Sequence, residues 1–296
     1  MALYLGAFPL NAGGSVKSLL TWCTGCVLVW TVAPVRVAAA EEAVRPVETI
    51  PLFDGGGRLD HFYSWLVDDH ESDPLRVFTR VDQIDGAPAI RVSGERWGGL
   101  VTRQAYQDYR LVVEFRWGEV TWGNRVHGAR DSGILLHCQG RDGNTAPDFN
   151  GPWMASVETQ MIEGGTGDFI LVSGYDERGG RIAPSVSVHG SQDRDGEWVY
   201  DPWAPLKSFS SGRINWYGRD PDWTDRLGFR GKRDVESPAG EWTRIEVTCR
   251  DGDITNTVNG RIVNRLTASS FRAGKIMFQS EGAEVFFRRI ELHPLD

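Results

Sequence analysis

With 40 acidic against 32 basic side chains in 296 residues, and a net charge of −8, the chain is a poor partner for nucleic acid or anionic membrane surfaces. Its length fits one large all-β domain or two small ones, with ample surface to bury in a core. Four cysteines are present, and none of their spacings makes a zinc site.

At the N-terminus, Lys17, the mostly apolar stretch Ser18–Val35 and the small residues Ala38-Ala39-Ala40 read as an export signal cleaved before Glu41. A membrane anchor is the alternative, but Pro34 and Arg36 interrupt the run. A lipoprotein would use Cys26 after Thr24-Gly25, with Cys23 standing where an aliphatic residue is expected. The expected organisation is a signal peptide at 1–40, a short linker at 41–49 and one domain at 50–296. That protein is periplasmic or extracellular and has no transmembrane anchor. Removing 1–40 takes away Lys17 and Arg36 and shifts the balance to −10. Cys138 and Cys249 then remain, and either a disulfide or two buried free thiols fits them.

Strand signals follow in order: Ala89–Val92, Tyr109–Trp117, Gly133–Cys138, Ser156–Ile162, Phe169–Val172 and Ser185–His189. They resume at Thr243–Cys249, Asp253–Val258, Arg261–Leu266, Lys275–Gln279 and Val285–Leu292. Asp251-Gly252 and Asn259-Gly260 read as hairpin turns. Many short strands without βαβ alternation predict an all-β sandwich or jelly roll. Leu59–Trp97 and Tyr175–Lys232, rich in Asp and aromatics, are expected to form long loops at a rim or over one face.

The central motif is Glu158-Thr159-Gln160-Met161-Ile162-Glu163, followed by Gly164-Gly165-Thr166-Gly167. In a strand, Glu158, Gln160 and Ile162 share a face. Glu163 joins them only through a bulge or turn, for which the glycines give room. Carboxylates and an amide on one sheet face suit work on a sugar, since they can hold hydroxyls and move protons. A half-exposed strand with ordinary polar positions is the alternative. The Gly-rich run precedes a strand-like segment and no Lys, so a phosphate cradle is rejected.

The order of short motifs resembles the 3-keto-disaccharide hydrolase domain family. The resemblance is carried by Leu52-Phe53-Asp54-Gly55, Tyr109-Arg110-Leu111 leading into Glu114-Phe115-Arg116, Asp131-Ser132-Gly133-Ile134 and Glu158–Glu163. It continues through Gly240-Glu241-Trp242, Val258-Asn259-Gly260, Gly274-Lys275-Ile276, Phe278-Gln279-Ser280 and Phe287-Arg288-Arg289-Ile290. Asp131 stands where the family usually has Asn, and Glu163 where it usually has Asp.

The resemblance implies a concanavalin-A-like, laminarinase-like jelly-roll β-sandwich with long loops over its concave face. It also implies cleavage of 3-keto-glycosides: a base takes the C2 proton, the enolate expels the C1 substituent, and water adds back. Glu158 and Glu163 are then the candidate base and acid. Arg116 is the candidate cation for the enolate, against a structural ion pair with a neighbour. Gln160, Asp131, Ser132, His189, Trp153 and Trp216 are candidates for substrate binding. A divalent metal ion held by His137, Glu158 or Glu163, with Asp131 or His189, is a further option. No other cofactor is implied. For His137 a packed core position is the alternative, and for the loop Trp residues simple anchoring. The partners implied are an oligosaccharide or glycoside substrate and an upstream sugar 3-dehydrogenase. A non-catalytic carbohydrate-binding module and a direct laminarinase-like glycosidase are the rival readings. In the latter, Gln160 stands where the glycosidase signature carries Asp.

Overall fold

Along Tyr109–Thr121 apolar side chains alternate with charged ones, so that Leu111, Val113, Phe115 and Trp117 are buried while Arg110, Glu114 and Arg116 stay half-exposed. This two-residue period is what makes a strand with one face on a core. It recurs through most of the chain in the computed structural model, which describes residues 42–56 and 59–296. The export signal expected at 1–40 lies outside the described residues.

In chain order the strands are β1 (Ile50–Phe53), β2 (Phe62–Leu66), β3 (Phe78–Ile84), β4 (Ala87–Val92), β5 (Gly98–Thr102), β6 (Tyr106–Gln107) and β7 (Tyr109–Thr121). Then come β8 (Asp131–Gln139), β9 (Ala155–Ile162), β10 (Phe169–Val172), β11 (Gly174–Tyr175), β12 (Arg181–Ile182), β13 (Val186–Gln192) and β14 (Trp198–Tyr200). The last are β15 (Leu206–Phe209), β16 (Gly212–Ile214), β17 (Thr243–Arg250), β18 (Asp253–Val258), β19 (Arg261–Leu266), β20 (Ala273–Ser280) and β21 (Ala283–His293).

Two large antiparallel sheets result. The first runs β19-β18-β17-β7-β21-β4-β3, with β1 also on β21, and the second β16-β10-β9-β8-β20-β5-β2, with β6 on β20. The fold is all-β, a concanavalin-A-like jelly-roll sandwich. Its core lies between the sheets, where Leu111, Phe115 and Ile245 of the first meet Ile134, Val157, Met161 and Phe278 of the second. Phe278 sets its ring edge-on to Phe62 and Phe287. Full burial of each such side chain contributes about 1.5–3 kcal/mol.

The outer face of the second sheet is covered as well. Trp65, Val101, Leu135, Cys138, Met154 and Met277 form a smaller buried cluster there, flanked by Tyr63 and Trp153. This explains one departure from the sequence pattern. The segment 59–97, expected as loop apart from the strand signal at Ala89–Val92, contains β2 and β3 as well as β4. Strand β2 escapes a period-two reading because Phe62 and Leu66 enter the main core while Tyr63 and Trp65 serve the outer cluster. Similarly, the segment 175–232 holds a separate three-stranded sheet, β14-β13-β15, and the edge strand β16.

The stretch expected as a linker packs along β6: the Val44 amide donates to Ala105 O at 2.8 Å and the Gln107 amide to Val44 O at 3.0 Å. Cys138 and Cys249 are free buried thiols in different clusters. Among the described residues no helix is long and apolar enough to cross a membrane.

Candidate active site

Register across the second sheet determines which side chains meet on its outer face. Leu135 pairs with Glu158, Gly133 with Gln160 and Asp131 with Ile162. On the far side, Phe278 pairs with Ile134, which sets Gln279 beside Gly133. Glu158 pairs with Ile170 of β10, and Ile170 with Arg213 of β16. The face therefore carries Asp131, Glu158, Gln160, Gln279 and Arg213 across five neighbouring strands.

Gly133 is the gap that admits them. A Cβ on Gly133 would collide with Glu158 Oε1 and Gln279 Oε1. The Gln279 amide abuts the Glu158 carboxyl without meeting hydrogen-bond geometry, and its Oε1 and Nε2, like Gln160 Oε1, are buried with no hydrogen bond. Such bare buried polar atoms are costly unless a ligand or water completes them.

The charges are arranged around this gap. Gln160 Nε2 donates to Asp131 Oδ1 at 3.0 Å, and Arg125 pairs with Asp131 Oδ2. Arg125 projects from a 3-10 turn at Gly123–Val126; it also contacts Asp225 at 3.2 Å and lies 3.9 Å from Glu281. Burial, and then the neighbouring Asp131, push the Glu158 carboxyl up to about 8, although Arg213 opposes the shift. Burial, Asp131 and Glu158 hold the Glu281 carboxyl well above its ordinary range. Burial raises Asp131 too, against Arg125 and Arg213. Three carboxyls and two guanidiniums thus share one desolvated patch, a setting in which neutral and ionised carboxyls exist side by side near pH 7.

The wall behind Arg213 is fixed by Asp168. Its carboxylate accepts from Arg213 Nε at 2.8 Å, from the Trp216 amide at 2.5 Å and from Arg219 Nη1, and the Arg219 guanidinium lies 4.5 Å from the Trp223 ring centroid.

Several expected site residues lie elsewhere. Glu163 turns away at the end of β9, where its carboxylate takes Arg130 Nη1 at 2.7 Å, the Arg130 amide at 3.0 Å and the Gly228 amide at 2.7 Å. Those bonds tie the 215–242 segment to the sheet and leave Glu163 a structural clamp. Arg116 shares a face with Glu114, as its spacing requires, but that face is the outside of the first sheet. There Arg116 pairs with Asp85, with the whole core between it and Glu158.

Ser132 points into the sandwich and donates to Gln279 O at 3.0 Å. Trp216 is fully buried and unable to stack on a sugar. His189 lies on β13, its Nδ1 2.7 Å from Ala204 O. Trp153 does flank the outer-face cluster and stacks on Trp97 at 5.5 Å.

The metal option fails on position. The β8–β9 register slips between Leu136 and Gln139, and His137, at φ 53°, turns inward. Its Nδ1 lies 3.1 Å from Phe271 O, its ring is edge-on to Tyr109, and burial lowers it to about 4. Among the described residues no three His, Cys, Asp or Glu side chains are placed to hold an ion.

Residues 48–293 match the model of the 3-keto-alpha-glucoside-1,2-lyase-like domain. The chain belongs to this family. As a 3-keto-alpha-glucoside-1,2-lyase-like domain it belongs to a carbohydrate-active family. No curated protein matches it. Solved structures with similarity include a candidate glycosyl hydrolase from Parabacteroides distasonis, 16% identical over 84% of this chain and 94% of that one, TM-score 0.46. A Bacillus licheniformis beta-glucanase is 11% identical over 82% and 97%, TM-score 0.38. LamAcat from Zobellia galactanivorans is 9% identical over 83% and 96%, TM-score 0.39. At these values the neighbours say nothing about what this lyase-like domain acts on.

A second carboxyl cluster lies under the Gly164–Gly167 turn of the domain. Glu236 accepts from Thr166 Oγ1 and from Trp117 Nε1 at 3.3 Å, and burial followed by Asp234 raises it to about 8. A raised carboxyl keeps its proton in the folded state where the unfolded chain has lost it. Stability therefore falls as pH climbs from the ordinary Glu value of 4.5 through about 8, for Glu236 and for Glu158 alike. Glu236→Gln, which copies the protonated form, should flatten that decline when urea unfolding is compared at about pH 5 and about pH 8.5.

Proposed function

We propose that the chain cleaves 3-keto-glycosides by β-elimination, with net hydrolysis when water adds back. The observation that carries this reading is the desolvated group of Glu158, Glu281 and Asp131 beside Arg213 and two incompletely bonded glutamine amides. Each requirement of the reaction has a group of suitable type. Ionised Glu158 removes the C2 proton, which the C3 ketone acidifies. The C2–H electrons become the enolate, whose C3 oxygen is stabilised by Arg213. As the enolate re-forms the ketone, the C1–O bond breaks with its electron pair. The leaving oxygen takes a proton from neutral Glu281. Gln160 and Gln279 hold hydroxyls, and the Trp97–Trp153 pair offers a stacking surface at the rim.

Glu281 thus takes the acid role first assigned to Glu163, and Arg213 the cation role first assigned to Arg116. The chemistry needs a sugar already oxidised at C3, so a sugar 3-dehydrogenase must act before it. An exported setting agrees with the N-terminal sequence.

A chromogenic glucoside and its 3-keto derivative test the reading. Release from the keto-substrate alone is expected, with kcat/KM rising as pH passes through about 8, where Glu158 ionises. Release from the unoxidised glucoside instead means direct glycoside hydrolysis. Binding of either without release means a lectin-like module. Each result would overturn elimination.

A further inference from the structure

The most exposed indole in the described chain has no part in the site above. Trp203 is 80% exposed, far beyond Trp97 and Trp122 at 37% each. Its exposure is built into the backbone. Asp201-Pro202-Trp203-Ala204 is a turn closed by the Ala204 amide on Asp201 O at 3.0 Å, with Asp201 Oδ1 capping the Trp203 amide at 3.0 Å. The turn is tied twice to β13: the Asp201 amide donates to His189 O at 2.9 Å, and His189 Nδ1 sits 2.7 Å from Ala204 O. The ring of Tyr217, itself 42% exposed, stands edge-on to Trp203 at 6.1 Å.

Tyr217 also lines a cavity of about 260 Å³, whose other walls include Asp201, Glu197, Asn215 and Arg233. An exposed aromatic plate on a tied turn thus adjoins a recess of mixed acceptors and donors. Its charged lining is four carboxylates, Asp193, Glu197, Asp201 and Asp220, against Arg219 and Arg233, so it disfavours anions and offers many acceptors to the hydroxyls of a neutral polyhydroxylated ligand. A pyranose with equatorial hydroxyls presents one flat C–H face to an indole and its hydroxyl edge to carboxylates and amides.

We infer that Trp203, Tyr217 and the adjoining recess form a second carbohydrate site that binds unoxidised β-linked gluco-oligosaccharides. It lies outside the catalytic group and needs no keto-sugar, so it stands whether or not elimination is the reaction.

The test is calorimetric titration of the full chain with cellohexaose and laminarihexaose, beside Trp203→Ala and Trp203→Phe variants and thermal melts of each. Saturable binding is expected, weakened roughly tenfold or more in Trp203→Ala, the scale of losing one aromatic anchor. Trp203→Phe should recover part of it, and all melting temperatures should agree, since the side chain packs against little. Failure of the wild-type chain to bind either sugar overturns the inference, as does equal binding by Trp203→Ala. Self-association that Trp203→Ala abolishes, with no sugar binding, overturns it in favour of a protein interface.

Discussion

Glu158→Gln is expected to reduce release from a 3-keto-glycoside by roughly 10²–10⁴-fold, the usual contribution of a positioned proton-transfer group. The protein should meanwhile fold normally. Glutamine copies the neutral form of a carboxyl that the fold already pushes up to about 8. Above that pH the wild-type carboxylate is ionised in a dry site, and the variant should be the more stable of the two. Steady-state rates at about pH 8.5, with thermal melts on either side of that value, separate these effects. Wild-type turnover in a folded Glu158→Gln protein would remove Glu158 from the chemistry.

Asp168→Ala should carry the largest cost in stability. Asp168 is fully buried and receives Arg213, Arg219 and the Trp216 amide on one carboxylate. Removing it strands two guanidiniums, one almost wholly buried, for which breaking a buried pair typically costs about 3–5 kcal/mol. Urea unfolding should show a much lower midpoint with little change in slope, and Arg213 should no longer be held at the site. A loss below about 1 kcal/mol would mean that water replaces the carboxylate without difficulty.

Much of the fold was legible because period-two patterning is a local property. The β7, β9, β17 and β21 runs announced themselves by alternation, and the motifs in their order pointed to the jelly roll. The site was legible only in part, for a physical reason. Spacing tells which residues share a face within one strand, as with Glu158 and Gln160, or Glu114 and Arg116. It is silent about which of two sheets that strand joins, and the candidate cation Arg116 lies on the sheet opposite Glu158.

Glu281, Arg213 and Arg125 reach the site through the β20–β21 turn, an edge strand and a short 3-10 turn. No local pattern marks such long-range register. Glu163 misled because a Gly-rich turn can swing a side chain toward a face or away from it. For Trp216 the anchoring alternative holds, because Gly- and Asp-rich loop sequence does not say which way an indole points, and this one fills the core.

Gly133 puts the candidate site in conflict with the strand that carries it. The neighbouring positions of β8 are fully buried, where a β-branched residue would strengthen the sheet by up to about 1 kcal/mol on strand preference alone. Any such gain would fill the space now shared by Glu158 and Gln279. Strand preference and the open space that the candidate site requires therefore pull in opposite directions at this one backbone atom, and a glycine settles the contest in favour of the space.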